Sequence, residues 1–117
     1  MAIDLFSKYE LNSMSRNYLG EFEEIVLLTV AAMEGEAYGA LLLDNIAVYT
    51  GREAQLSAIH VALYRLEEKK LVTSRLGGAT AERGGRRKRL FTITAEGMQI
   101  LRDIRAVREE LWQLIRG

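Results

Sequence analysis

Residues 83–89, Arg-Gly-Gly-Arg-Arg-Lys-Arg, place five cations and two glycines in seven positions. Cations at this density suit a polyanion, because each one that meets a phosphate releases condensed counterions and adds affinity that does not depend on sequence. A second set of candidates lies in residues 56–70. There Leu56, Ile59, Leu63 and Leu66 recur at spacings of three, four and three and predict one inward helical face. The opposite face carries Ser57, Ala58, His60, Val61, Tyr64 and Arg65, a mixture of short, hydrogen-bonding, aromatic and cationic groups that can enter a major groove. On this reading Ser57, His60, Val61, Tyr64 and Arg65 approach base edges, while Arg83, Arg86, Arg87 and Lys88 hold the flanking backbone.

Each of these candidates has a plainer alternative. The basic run could be a solvated hairpin tip, although its lack of any acid favours contact with the DNA backbone or a minor groove. Its glycines do not make a nucleotide cradle, since neither a P-loop nor a dinucleotide fingerprint is present. His60, the sole histidine, has no metal-ligand or nucleophile neighbours, so it is either a groove contact or an ordinary exposed side chain. Tyr64 either reaches a phosphate or sugar or sits half-buried at the rim. Tyr38, opening a helix, either hydrogen-bonds a phosphate or packs into the core.

The elements that must position these residues follow from the apolar pattern. Phe22, Ile25, Val26, Leu27, Leu28, Val30 and Met33 predict a largely buried helix over residues 21–34, and Leu41, Leu42, Ile46 and Val48 predict a second over residues 38–49 that stops at Thr50-Gly51. The helix of residues 56–70 comes third. Residues 72–76 and 89–93 alternate as strands around a loop of about a dozen residues. Thr94 is the expected N-cap of a last helix over residues 95–116, with Glu96 in its first turn. The order helix, helix, helix, strand, basic loop, strand, helix is a mostly α fold with a small β-hairpin, a winged helix-turn-helix followed by a long C-terminal dimerisation helix. The divisions expected are residues 1–19 as an arm or short helix, 20–94 as the DNA-binding domain and 95–117 as the dimerisation helix. On that last helix Leu101, Ile104, Leu111 and Ile115 fall at seam spacing, with Val107 and Leu114 beside them and Arg108 between, and these are the expected dimer contacts. Trp112, the only tryptophan, is expected to pack in that interface.

Composition bounds the function. The 117 residues fit one domain, too short for a separate sensory unit, and the net charge of zero conceals a division. Residues 1–53 hold nine acids against three bases, whereas residues 54–117 hold thirteen bases against seven acids. No cysteine, paired-carboxylate signature, metal-ligand cluster or nucleophile motif is present, so no catalytic residue, metal or cofactor is expected. Without a membrane-length apolar run or a basic leader, a cytosolic location is expected.

Five segments carry a resemblance: residues 19–28 (Leu-Gly-Glu-Phe-Glu-Glu-Ile-Val-Leu-Leu), Ala37-Tyr-Gly, Thr50-Gly-Arg, residues 61–72 (Val-Ala-Leu-Tyr-Arg-Leu-Glu-Glu-Lys-Lys-Leu-Val) and residues 82–97 (Glu-Arg-Gly-Gly-Arg-Arg-Lys-Arg-Leu-Phe-Thr-Ile-Thr-Ala-Glu-Gly). In this order they resemble the PadR family of bacterial transcriptional regulators, in its short-tailed branch. The resemblance implies a homodimeric winged helix, usually a repressor, whose last helix forms the dimer interface. It also implies that aromatic side chains of the two last helices can line a cavity for a small hydrophobic or aromatic effector, which makes Trp112 the candidate effector-binding residue. The chain departs from the family pattern at Lys70, where a glycine is usual. Three function classes remain to be compared: a sequence-specific regulator on a palindromic operator, a winged helix that binds protein or RNA without operator preference, and an enzyme, which the residues disfavour.

Overall fold

A computed structural model describes residues 19–79 and 87–116, with Ala79 as backbone only; residues 1–18, Arg83 and Arg86 lie outside the described residues. The described elements are α1 (Glu21–Ala32), α2 (Gly39–Thr50), α3 (Leu56–Glu68), β1 (Val72–Ala79), β2 (Arg87–Ile93) and α4 (Ala95–Leu114). The expected order is therefore observed. One core holds them together. Val26, Leu27 and Val30 of α1, Leu42 and Ile46 of α2, and Ile59, Ala62, Leu63 and Leu66 of α3 are buried against Leu71, Val72 and Phe91 of the hairpin and Leu101 of α4. Each of the large side chains removed from water contributes about 1.5–3 kcal/mol.

Helical geometry corrects three expectations about this core. Leu28 is 48 % exposed, because at 100° per residue it lies opposite the Val26, Leu27 and Val30 stripe. Val48 is 77 % exposed for the same reason, being turned away from Leu42 and Ile46. Leu56, in the opening turn of α3, is 41 % exposed, and Ala62 takes the inward place beside Ile59, Leu63 and Leu66.

The strands pair antiparallel with Val72 opposite Ile93, Ser74 opposite Phe91 and Leu76 opposite Arg89. Beyond Leu76 the register shifts, so that Ala79 faces Arg87. Both strands are longer than alternation alone suggests, and Arg87 and Lys88 belong to β2 rather than to the loop. On the free side of β2 the chain between α1 and α2 adds a bridge, in which the Phe91 amide donates to the Ala37 carbonyl (2.8 Å).

The junction after α3 fixes the direction of the hairpin. The Lys70 amide donates to the Glu67 carbonyl (3.0 Å) and the Leu71 amide to the Leu66 carbonyl (2.9 Å), the paired bonds that close a helix with a left-handed residue. That residue is Lys70, at φ +64°. Glycine takes this conformation freely, whereas a β-carbon is crowded there. Thr94 then joins the turn to α4: its hydroxyl donates to the Lys70 carbonyl (2.8 Å) and accepts from the Gly97 amide (3.0 Å), and its own amide donates to the Leu71 carbonyl (3.0 Å). At Gly97 a β-carbon would collide with the Leu71 carbonyl oxygen and with Ile93 Cγ1.

Opposite effects are expected at these two positions. Lys70→Gly should raise stability by about 0.5–1 kcal/mol, through relief of the left-handed side chain. Gly97→Ala should lower it by about 1–3 kcal/mol despite alanine's better helix propensity, because the backbone of Leu71 must move. Urea midpoints of the two variants against the parent chain check both signs.

Candidate nucleic-acid interface

The face of α3 opposite its buried stripe is led by Ser57, Val61 and Tyr64, with Glu68 at its far end, and all four are exposed. The two remaining sequence candidates on α3 lie on its flanks. His60 is exposed but leans on the start of α2: its Cε1 would be 2.8 Å from a β-carbon on Gly39. A side chain at residue 39 would therefore push the imidazole away. Arg65 turns to the other flank, with Nη1 3.7 Å from Glu23 Oε2 of α1. Ser57, Val61 and Arg65 line a shallow open groove there, whose other wall includes Phe22 and Glu23.

Tyr38 is the N-cap residue of α2 in extended conformation, half-buried, without a side-chain capping hydrogen bond. Its ring lies beneath Lys88 of β2, with Nζ 4.2 Å from the ring centroid. Lys88, Tyr38, Gly39 and His60 thus run as one contiguous strip from the hairpin, across the start of α2, to α3. Arg87 and Arg89 flank Lys88 on β2 and are exposed. The last two positions of the basic run expected to hold a backbone, Arg87 and Lys88, are therefore built into a strand, where the sheet limits their reach.

Three side chains join hairpin and helix through a link that the sequence did not show. Ser74 Oγ donates to Glu67 Oε2 of α3 (2.8 Å) and accepts from Arg89 Nη1 (3.0 Å). Ser74 and Arg89 lie on the same sheet face, since Ser74 is opposite Phe91, two residues on from Arg89. Period-two alternation could have shown that face; the link to Glu67 needed the sheet register. Arg75 is also paired at long range, 4.0 Å from Glu36.

The expected dimer residues divide. Leu101 is buried in its own chain's core, so its side chain is not available to a partner, and Ile104 is partly buried against that core. Arg108 Nη2 donates to Glu24 Oε1 of α1 at 2.7 Å. Farther along, Leu111, Trp112, Leu114 and Ile115 are 53 %, 71 %, 70 % and 64 % exposed. Among the described residues no group of His, Cys, Asp and Glu side chains could hold a metal ion, and no helix is long and apolar enough to cross a membrane.

Two helices at a turn, an exposed third helix and a cationic hairpin bridged to the α1–α2 connection define a winged helix-turn-helix. The model of the Transcriptional regulator PadR-like family matches residues 27–103. The chain belongs to that family. Solved structures show the same fold at low identity. A PadR family transcriptional regulator from Eggerthella lenta is 22 % identical, with 97 % of this chain and 91 % of that one covered and a TM-score of 0.63. A PadR-like transcription factor from Bacteroides fragilis is 17 % identical over 89 % of this chain and 93 % of that one, with a TM-score of 0.68. Bacillus subtilis PadR, solved in complex with operator DNA, is 20 % identical over 83 % of this chain and 49 % of that one, with a TM-score of 0.60. The chain thus matches about half the length of the Bacillus subtilis protein. No curated protein matches it.

The Lys88–Tyr38 contact is partly exposed and contributes about 1 kcal/mol or less to folding. Lys88→Ala and Tyr38→Phe should therefore each shift the thermal midpoint by less than about 8 °C, as circular dichroism melts will register.

Proposed function

We propose that this chain is a sequence-specific DNA-binding regulator that acts as a homodimeric repressor on a palindromic operator. The observation that carries this reading is the strip from β2 across Tyr38 and Gly39 to α3. It sets cations for phosphates beside an exposed helix whose leading residues, Ser57, Val61 and Tyr64, have the size and chemistry to meet bases. In this role His60 and Tyr38 border the groove-facing surface, and Arg83, Arg86, Arg87 and Lys88 engage backbone. The operator complex of Bacillus subtilis PadR supports the same use of the fold. The regulator works in the cytosol, where its DNA is.

A second copy completes the molecule. The exposed apolar side chains of Leu111, Trp112 and Leu114, with Val107 at their edge and Ile115 just beyond the helix, form the surface that another α4 covers. A two-fold dimer matches two half-sites about one helical turn apart. Trp112 lies in the same surface, where a small flat hydrophobic effector would change the spacing of the two recognition helices and release the operator.

Fluorescence anisotropy with the duplex upstream of the protein's own gene and with a scrambled duplex, across a salt series, tests the reading. Saturation at two chains per native duplex, with weak binding to the scrambled one, is expected. Arg87→Ala should weaken both and flatten the salt slope by about 0.9, whereas Tyr64→Ala should chiefly erode the preference, by about 1–3 kcal/mol. Equal losses on both duplexes after Tyr64→Ala would remove that residue from base reading.

A further inference from the structure

Glu23 stands out as a carboxylate in a position patterned for the core. It precedes Val26, Leu27 and Val30 by three, four and seven residues, which is the spacing of the buried stripe of α1, and its side chain is only 12 % exposed. The other two acids of that first turn face different elements: Glu21 pairs with Arg52 (2.8 Å) and Glu24 with Arg108 (2.7 Å). Glu23 turns to α3. Its Oε1 accepts from Lys69 Nζ at 2.9 Å, and its Oε2 lies 3.7 Å from Arg65 Nη1.

The two partners are held differently. Lys69 makes a hydrogen bond and is 29 % exposed, while Arg65 is 62 % exposed and stands beyond hydrogen-bond distance, drawn by charge alone. Arg65 is thus the cation on the flank of α3 that a nearby phosphate could most readily take over. While Glu23 is charged, that transfer leaves a largely buried carboxylate with one neighbour fewer. With Glu23→Gln, that cost is absent.

We propose that Glu23 is a specificity determinant of the α3 surface: it holds Arg65 back from DNA phosphates, so that this flank gives little affinity to an arbitrary duplex. The inference rests on the DNA-binding reading of α3 and identifies what limits its non-specific binding. A cation that meets phosphate raises affinity on every sequence alike. Removing that contribution lowers binding to random DNA while leaving the contacts of Ser57, Val61 and Tyr64 in place. The ratio between the two is what a regulator needs among a large excess of competing sites.

The test compares the parent chain with Glu23→Gln, Arg65→Gln and the double variant on the upstream and scrambled duplexes, between about 50 and 200 mM salt. Glu23→Gln should bind the scrambled duplex roughly two- to fivefold tighter, with a salt slope steeper by about 0.9 per cation released, and should discriminate less between the two duplexes. Arg65→Gln in the Glu23→Gln background should remove most of that gain, whereas Arg65→Gln alone should change scrambled-duplex binding by less than about twofold. Unchanged binding to the scrambled duplex by Glu23→Gln, or a gain that survives the double substitution, overturns the proposal. Should Glu23→Gln fail to fold in a circular dichroism melt, Arg65→Gln alone decides: a loss of about 0.9 in slope on scrambled DNA shows that Glu23 does not restrain the cation. A parent chain without preference between the duplexes defeats the DNA-reading assignment itself, which is a different outcome from a discriminating parent whose Glu23→Gln variant behaves as it does.

Discussion

The peptide groups of Leu71 hold the architecture together. Its amide closes α3 by donating to Leu66, and its carbonyl accepts from Thr94, which caps α4. Its side chain is fully buried beneath both. α3, the hairpin and the last helix therefore meet within a few ångströms, and the missing side chain of Gly97 is what allows the approach. Hydrogen bonds in a turn are individually modest, about 0.5–1.5 kcal/mol each. Their importance here is geometric: they set the angle at which β1 leaves α3, and hence where the cations of β2 stand relative to the exposed helix face. The left-handed Lys70 sits inside this junction. Its strain is tolerated because the two backbone bonds and the burial of Leu66 and Leu71 determine the turn from both sides.

Charge is organised around the start of α1. Glu21, Glu23 and Glu24 reach, respectively, the α2–α3 connection, α3 and α4. Glu23 and Glu24 thus meet cations of the second half of the chain and Glu21 meets Arg52 of the first, all at one helix end, where acidic groups are also favoured by the helix dipole. The exposed Glu21–Arg52 pair adds little to stability, whereas the carboxylates of Glu23 and Glu24 are largely shielded from water. These pairs decide which cations are engaged inside the protein. Arg87, Lys88 and Arg89 are not among the cations that pair there, and Lys88 meets an aromatic ring, which leaves its charge in place.

The sequence made the fold readable where period and punctuation agreed. Thr94 as a cap, Gly51 as the end of α2 and the inward Ile59, Leu63 and Leu66 follow from spacing and local chemistry, and the structure has them all. What failed were apolar residues off the stripe. Leu28 and Val48 are hydrophobic yet turned outward, because composition does not carry the 100° step by itself. The candidate surface was readable one element at a time: Tyr38, His60 and the cations of β2 were each identifiable. Their adjacency was not, since it depends on the bridge between Ala37 and Phe91 and on the close approach of His60 to Gly39. Glu23 was equally hidden, because acids in a first helical turn are ordinarily solvated and dipole-related. Its membership of the Val26, Leu27 and Val30 stripe was the available signal.

The division of α4 has a simple geometric cause. At 1.5 Å per residue, a helix of 20 residues spans about 30 Å and one of 12 residues about 18 Å. The two run together from the Leu101 region, near the middle of the core, to the pairing of Arg108 with Glu24, which is already in the first turn of α1. Beyond that pair α4 continues for six more residues while α1 has only three left. Among the described residues, the side chains of Leu111, Trp112 and Leu114 accordingly find little of their own chain to cover them. In the proposed dimer the same overhang recurs on the second copy, so that the two surfaces would face one another across a two-fold axis. The length of the last helix, more than any single residue on it, is what leaves this apolar surface outside the chain's own core.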